Sequence, residues 1–551
     1  MRVRHLEQIS WTSAAEQLTA SEHLNHRQSL VLQGVARHLQ TIDQHNRQSN
    51  ESNQLLLHVG GSGGVGKSWL IQAIDKLFMM MDDHHSLCIT ASTGSAAANI
   101  NGRTIHSAVG FSRKKKCSTD VENLLQRRWK GTKMLVLDEL SMVSGQLFYN
   151  ISQRLNHLRG HHEAEDVYFG RVPVVMVLGD FAQFPPVSAT SVIFPAKTSA
   201  PKTSFRVGDD DETISTEPQN ITAAMAQLAG YKLFEKFTHV VILNEQMRAT
   251  DPELREMLQQ LRDGNPSEEY LHRLNNKVVG LETPIDWEEV RAITPTNATR
   301  WRLNMDAVIG FARARGQVVR IFISDNTWTD PNPMQKPATI AFGDNSWTNV
   351  PGIFFYTDNM PVLTNKNQYP GLKLMNGTEF TARGVIPGDR RKTGLRLTDD
   401  TIIHFGCPEG ILLEPHEAEN IDIAGLPKGR ILLAPDKITL EPSRNRFKFL
   451  TGKCDRRGLP CTPAFALTDY KAQGRTFREI IVDLTSRRGA GGRIDPVSAY
   501  VSLSRCKTLA GIQLLSSVTS ENWSTVGMPQ KLRKVLDKLE GLSRLTLNRW
   551  P

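Results

Sequence analysis

Short apolar runs alternating with helical periodicities dominate the pattern along this chain. Leu55–Val59, Leu87–Thr90, Met134–Leu137 and Val172–Leu178 are runs of the length and composition of buried strands. Trp69–Met81 between them reads as a helix, and Leu30, Val31, Leu32, Val35 and Leu39 predict an amphipathic helix upstream. Short β-rich runs separated by helical stretches predict a parallel sheet with crossover helices. A second set, Val240–Leu243, Ala292–Thr294, Ile480–Leu484 and Ile512–Leu515, predicts a second α/β unit.

Two stretches break this rhythm. Ser188–Asn220, rich in Ser, Thr, Pro and Asp and containing the run Asp209–Glu212, reads as a surface insertion. Residues 310–455 carry many Gly, Pro and Asn with short runs such as Ile431–Leu433 and Phe447–Leu450, which predicts a small β insertion in the second unit. Leu532, Val535, Leu536 and Leu539 lie at helical spacing near the end. The predicted fold class is α/β. Its expected divisions are residues 1–50 as a helical segment, 51–235 as the first domain with an acidic insertion at about 188–220, and 236–551 as the second. The second holds the β insertion at about 310–455 and a C-terminal helix at about 529–545.

Composition narrows the classes without choosing among them. At 551 residues, 39% hydrophobic and 22% charged, the chain has a globular composition, which excludes collagen-like and wholly disordered proteins. No apolar run approaches the ~18 residues that span a bilayer, and Met1–Glu7 is basic with no apolar stretch after it, so no membrane or secretory role is expected. Six cysteines without a C-x-x-C pair predict free thiols in a reducing compartment. The net charge of +9 permits a polyanionic partner.

The chemistry begins after the first strand. Gly61-Ser62-Gly63-Gly64-Val65-Gly66-Lys67-Ser68 fits G-x-x-x-x-G-K-[ST] between a strand and a helix. Glycines let successive backbone N–H groups turn inward on phosphate oxygens, and the helix N-terminus adds partial positive charge. Lys67 would reach the β- and γ-phosphates of ATP, and the Ser68 hydroxyl would ligate Mg²⁺. Chance alone produces the pattern in a chain this long about 2% of the time. Met134–Leu137 runs into Asp138-Glu139, where Asp138 at a strand end can hold the Mg²⁺ shell and Glu139 can polarise a water. Val172–Leu178 runs into Gly179-Asp180-Phe181-Ala182-Gln183, placing Gln183 where it could report on the γ-phosphate. Arg248 in LNEQMR and Arg505 in AYVSLSRCKT follow apolar runs and could stabilise charge on the transferred phosphoryl group. Taken alone these residues define a nucleotide hydrolase or transferase, and either arginine could equally serve a surface ion pair.

The motif order resembles the superfamily 1B DNA helicases of the PIF (petite integration frequency) type, collinearly over roughly residues 21–515. LNHRQ (Leu24–Gln28), GGSGGVGKS, ASTGSAAANINGRTIHS (Ala91–Ser107), LVLDELSM, GDFAQFPP, LNEQMR, TPTN, NGT, ALTDYKAQGRTF and YVSLSRCKT carry the likeness. The resemblance implies two RecA-like P-loop domains, a wedge near 107–130 that includes Arg113-Lys114-Lys115-Lys116, and a Src-homology-3-like β insertion. It implies a monomeric ATP- and Mg²⁺-dependent helicase moving 5′ to 3′ on single-stranded DNA towards duplex junctions. Repair, recombination or telomere maintenance would be its setting, in the nucleus or the mitochondrion. By the same likeness Gln28 contacts adenine, Gln473 and Gly474 belong to the nucleotide site, and Thr93, Gly94, His106, Ser107 and Thr468 contact DNA. One motif departs from the family pattern T-x-H-K-S-Q-G: Tyr470 and Ala472 replace its His and Ser. Two other readings stay open on the residues: a mobile-element-derived DNA-binding ATPase without unwinding, and a P-loop ATPase that remodels protein.

Overall fold

The structure is a computed structural model and describes residues 9–45, 54–111, 119–161, 166–196, 222–280, 285–329, 336–344, 348–369, 372, 374–388, 394–415, 421–442, 450, 452–485, 494–524 and 528–550. The lysine-rich run Arg113–Lys116, Cys117, Asp209–Glu212 and Phe447 lie outside the described residues, as does most of the insertion expected at 188–220. The chain forms two compact units, Met1–Met247 with Met528–Pro551, and Arg248–Gly527.

The first unit is built on one parallel sheet. Its strands are β1 (Leu55–Gly61), β2 (Leu87–Ala91), β3 (Arg103–Thr104), β4 (Met134–Asp138), β5 (Val174–Gly179) and β6 (His239–Leu243), in the order β3-β2-β4-β5-β1-β6. The central strands β1, β4 and β5 are buried along their whole length, as a parallel sheet covered on both faces requires. Helices α1 (Trp11–Ser21), α2 (His26–His45), α3 (Lys67–Met80), α4 (Gly94–Asn99), α5 (Ile105–Val109), α6 (Thr119–Gly131), α7 (Gly145–Leu158) and α8 (Ala223–Phe234) surround it. Leu30, Val31, Leu32, Val35 and Leu39 are all buried, so the upstream helix is anchored by the apolar stripe its spacing shows.

Two expectations change. His239–Leu243, expected in the second unit, is the edge strand of the first sheet, pairing in parallel with β1 from Leu57↔His239 to Gly61↔Leu243. The C-terminal helix, Gln530–Arg549, packs on β6 in that same unit. The boundary therefore falls after Met247 rather than at 235/236. The reason is the outer edge of β6, which has no further strand among the described residues. Thr546 Oγ1 accepts the buried Val240 N–H and Ser543 Oγ accepts the Ile242 N–H, both at 3.0 Å. Trp550 stacks on His239 with ring centroids 5.9 Å apart and closes over Gly34, where a Cβ would sit 2.5 Å from the indole.

The second unit has its own parallel sheet, Ala466–Thr468, β7 (Val290–Thr294), Glu479–Val482 and Ile512–Leu514 in that spatial order. The β insertion is more extensive than expected. Sheets of four, five and three strands occupy the chain between Val319 and Pro463, and its start at 310 falls inside the helix Asn297–Ala314. Ala499–Leu503 lies within a helix, Pro496–Leu503. Cys88, Cys407, Cys454, Cys461 and Cys506 are free and buried. No helix is long and apolar enough to cross a membrane among the described residues.

Replacing Thr546 by Val keeps the shape but strands the buried Val240 N–H. Chemical denaturation should show the first unit destabilised by about 1–3 kcal/mol, the cost of an unsatisfied buried donor.

Candidate nucleotide and nucleic-acid site

The loop after β1 turns where only glycine is comfortable. Gly61 has φ +144°, and a Cβ there would lie 2.6 Å from the Leu243 carbonyl oxygen. Gly66, at φ +83°, leads directly into α3, and a Cβ on it would meet Gln28 Nε2 at 2.3 Å. The loop is held from two directions. Gln28, fully buried, donates through Nε2 to the Gly66 carbonyl at 3.2 Å, and is itself fixed by reciprocal bonds with Asn25: Asn25 N–H to Gln28 Oε1 and Gln28 N–H to Asn25 Oδ1, both 3.0 Å. Gln246 donates to the Gly63 carbonyl at 3.0 Å, and the Met247 N–H to the Gly64 carbonyl at 2.8 Å. Gln246 and Met247 of LNEQMR thus brace the glycine loop.

Lys67 Nζ donates to the Gly61 and Ser62 carbonyls at 2.8 and 3.0 Å, bridging the loop it follows. Ser68, next on α3, is exposed. Asp138 ends β4, buried, its Oδ1 accepting the Glu139 N–H at 2.8 Å. Burial, then the Glu139 carboxylate beside it, push the Asp138 carboxyl up to about 7, with Lys67 opposing the shift. Glu139 stands in the left-handed region, φ 55° and ψ 46°, a conformation that costs about 1–3 kcal/mol in a non-glycine residue and turns its side chain off the strand. A divalent cation fits this donor set. Hydroxyl and carboxylate oxygens are hard ligands, and positive charge would relieve the repulsion between the two acids.

Gln183 is buried, not exposed on a rigid proline loop. Its Nε2 donates to Asp180 Oδ2 at 3.2 Å, while Asp180 Oδ1 accepts the Ala182 N–H. Sequence reasoning passed over Asn25, Asp180 and His58. The last is buried in β1, pushed down to about 4 chiefly by burial, with its ring centroid 5.6 Å from those of Phe181 and Phe234. Asn25 was findable as an Asn three residues ahead of Gln28, whereas a histidine in an apolar run carries no signal of its own.

The residues expected at DNA lie on two short helices of the first unit. Thr93 caps α4, accepting the Ala96 N–H at 3.3 Å, and Gly94 is that helix's first residue. His106 and Ser107 are exposed on α5, with the His106 ring 6.0 Å from Phe111. The second unit carries the remainder. Thr468 caps the turn Asp469–Ala472, Gln473 is buried, and Gly474 follows at φ +79°. Arg248 donates to the Ser504 carbonyl at 3.1 Å. Arg505 is 1% exposed, donating to the Val501 carbonyl at 2.7 Å and to Ser504 Oγ at 2.6 Å, so it is packed inside its unit rather than presented on its surface.

A sequence model of the PIF1-like helicase family matches residues 18–200, the span that contains the loop, both acids and Gln183. That span is about a third of the chain. Around it the likeness runs through most of the chain. It is 26% identical over 498 residues to the ATP-dependent DNA helicase PIF1 of Emericella nidulans, covering 83% of this chain and 57% of that protein. It is 24% identical over 507 residues to the ATP-dependent DNA helicase RRM3 of Saccharomyces cerevisiae, covering 83% and 62%. The chain therefore spans about six-tenths of the length of these relatives. Among solved structures, the Pif1 helicase from Candida albicans is 22% identical with a TM-score of 0.59, over 94% of this chain and 99% of that one. Bacteroides Pif1 bound to ssDNA is 19% identical with a TM-score of 0.55, over 92% and 98%. The fold is that of the Pif1 helicases, with two RecA-like domains.

Ionised Asp138 is a cost that the PIF1-like fold bears. Its folded carboxyl titrates near 7 against an ordinary 3.8, so stability falls as pH rises between those values. Asp138→Asn removes the charge. Calorimetry at pH 8 should find its Tm raised by roughly 2–4 °C or more, with a much smaller gain at pH 5.

Proposed function

We propose that this chain is an ATP-dependent DNA helicase that uses Mg-ATP hydrolysis to move 5′ to 3′ along single-stranded DNA and to separate duplexes. The observation that carries the reading is the braced glycine loop, with Lys67 across it and the Asp138-Glu139 pair at a neighbouring strand end, inside the span that matches the PIF1-like family.

Each residue's part follows from its chemistry. The loop N–H groups and the start of α3 bind the phosphates, Gln28 orients the base, and Lys67 exchanges its carbonyl partners for phosphate oxygens. Ser68 and Asp138 would hold Mg²⁺, which would supply positive charge against the phosphate oxygens. Glu139 is the group proposed to take a proton from the attacking water, and Gln183 to sense the γ-phosphate through its bond to Asp180. Arg248 and Arg505, with Gln473 and Gly474, are the second unit's proposed contribution to nucleotide handling. Arg505 must leave its carbonyl partners to reach a phosphate, which suits a group that acts only in one state of the cycle. Thr93, Gly94, His106, Ser107 and Thr468 are proposed to grip the DNA backbone, with the region near 107–130 as the wedge. DNA repair, recombination or telomere maintenance, in the nucleus or the mitochondrion, is the setting proposed with this reading.

Single-stranded DNA should stimulate ATP hydrolysis, and Lys67→Ala should lower the stimulated rate by ~10²-fold or more. Unaltered turnover in that variant would remove the mechanism. Unwinding should be seen on duplexes with a 5′ tail and be absent on those with a 3′ tail. Tight DNA binding with no strand separation on either would instead favour the weakened ATPase to which Tyr470 and Ala472 point.

A further inference from the structure

At the open edge of the first sheet, a guanidinium on β3 and one on α6 face the same thiol with no acid paired to either among the described residues. β3 is the edge strand, and its parallel pairing sets Arg103 opposite Thr90. Cys88, two residues before Thr90, shares that face of the sheet. Over the same face α6 brings Arg128, whose Nη2 lies 3.9 Å from Cys88 Sγ. The helix cannot drift away, because the next residue, Trp129, is fully buried and donates to the Ala108 carbonyl at 3.0 Å. Arg103 is exposed and Arg128 half-buried.

Among the described residues neither guanidinium has a carboxylate within ion-pair distance. Of the two acids on the same helix, Asp120 stands in its first turn, and Glu122 is already engaged by Arg154 at 2.5 Å and His157 at 3.3 Å. Partial burial, and then the Arg128 guanidinium, hold Arg103 below the usual arginine range. Two like charges near one another without a described counter-ion cost folding free energy, and Arg103 feels Arg128 as a repulsion. An anion between them would turn the cost into a gain. Two guanidinium forks on one face can donate to the oxygens of one phosphate or of two neighbouring ones.

We propose that Arg103 and Arg128 form a phosphodiester-binding pair, a nucleic-acid backbone contact beside the Thr104–Ser107 segment and additional to it. The proposal rests on the DNA-translocating reading above. The contact is sequence-independent, since phosphate contacts position a strand without reading bases. It lies where the chain passes from β3 into α5, so a strand held by His106 and Ser107 meets Arg103 immediately upstream.

Salt-dependent binding of the full chain to labelled oligo-dT, and separately to a blunt duplex, tests the pair. Arg103→Gln with Arg128→Gln should weaken binding at least roughly tenfold and reduce the slope of log affinity against log salt by about 1–2. Arg103→Lys with Arg128→Lys should recover most of the slope. Loss on the single strand alone, on the duplex alone, or on both supports the pair and identifies which backbone it holds. Unchanged affinity and slope on both substrates overturn it, as does a loss matched by the remote pair Lys232→Gln with Lys236→Gln. The Gln variant should melt at or above the wild-type Tm, because a repulsion is removed. A lower Tm would mean the arginines serve packing and would also overturn the proposal. Wild-type protein that binds neither substrate would instead refute the helicase reading itself.

Discussion

The first unit depends on the burial and register of β1. All seven of its residues are buried, and it pairs in parallel with β5 on one side and β6 on the other. Parallel register means that neighbouring strands finish at one edge of the sheet, where ligands of open α/β sheets bind. Gly60 stands opposite Gly179, so the phosphate loop and the Asp180–Gln183 loop leave the sheet side by side. β4 pairs with β5 from Met134↔Val174 to Leu137↔Val177 and delivers Asp138 to that edge. A slip in any of these pairings would misplace the acids relative to the loop, because its glycines have no side chains with which to compensate. The close approach of Gly61 to the Leu243 carbonyl ties even β6 to this geometry.

Around that edge the fold tolerates electrostatic and conformational costs. Asp138 is buried beside a second acid, Glu139 has left-handed backbone, and Lys67 rests on carbonyl oxygens. Each is unfavourable or merely adequate by itself, and each would improve with the phosphate and cation proposed above. Such strain clusters at functional sites because the surrounding structure over-determines it. Here the over-determination is visible: Gln28, Gln246 and the Met247 N–H fix three loop carbonyls, while His58 stays neutral among Phe181 and Phe234 and adds no charge to the sheet beneath.

The second unit uses buried charge differently. Arg300 and Asp344 pair at 2.9 Å with both side chains almost inaccessible, and Lys471 of the altered motif reaches Asn365 Oδ1 at 3.1 Å and Asp344 at 3.8 Å. Burial pulls the Lys471 ammonium down to about 8, with Asp344 holding it up. Arg456 donates to the Phe342 and Val350 carbonyls at 3.0 and 3.2 Å, and to that of Thr339. Thr339, Phe342 and Val350 are therefore held by Arg456 of the β insertion and Asp344 by Arg300 of the helix Asn297–Ala314, and Lys471 joins Asp344 to the turn after Thr468. Losing one partner of such a set leaves a buried charge uncompensated, so these ties are specific even where their net stabilisation is small.

Motifs whose function is carried by consecutive residues were legible in the sequence. The glycine loop, Lys67, Ser68 and the acids after Met134–Leu137 needed no knowledge of distant contacts, because local backbone geometry alone makes that spacing bind phosphate. Strand and helix positions in the central sheet were legible too, since complete burial writes itself as continuous apolar runs. Ownership of β6 was not legible. A parallel strand's partner is chosen by packing far away in sequence, and here the choice is sealed by Ser543 and Thr546, some three hundred residues on. Nor could spacing show that Arg505 turns inward, that Gln183 is buried on Asp180, or that Arg103 and Arg128 converge over Cys88. The sequence by itself determined which chemistry this protein can carry. The tertiary structure decided which side chains meet, because long-range strand pairing and helix docking, rather than local propensity, bring them to the same edge.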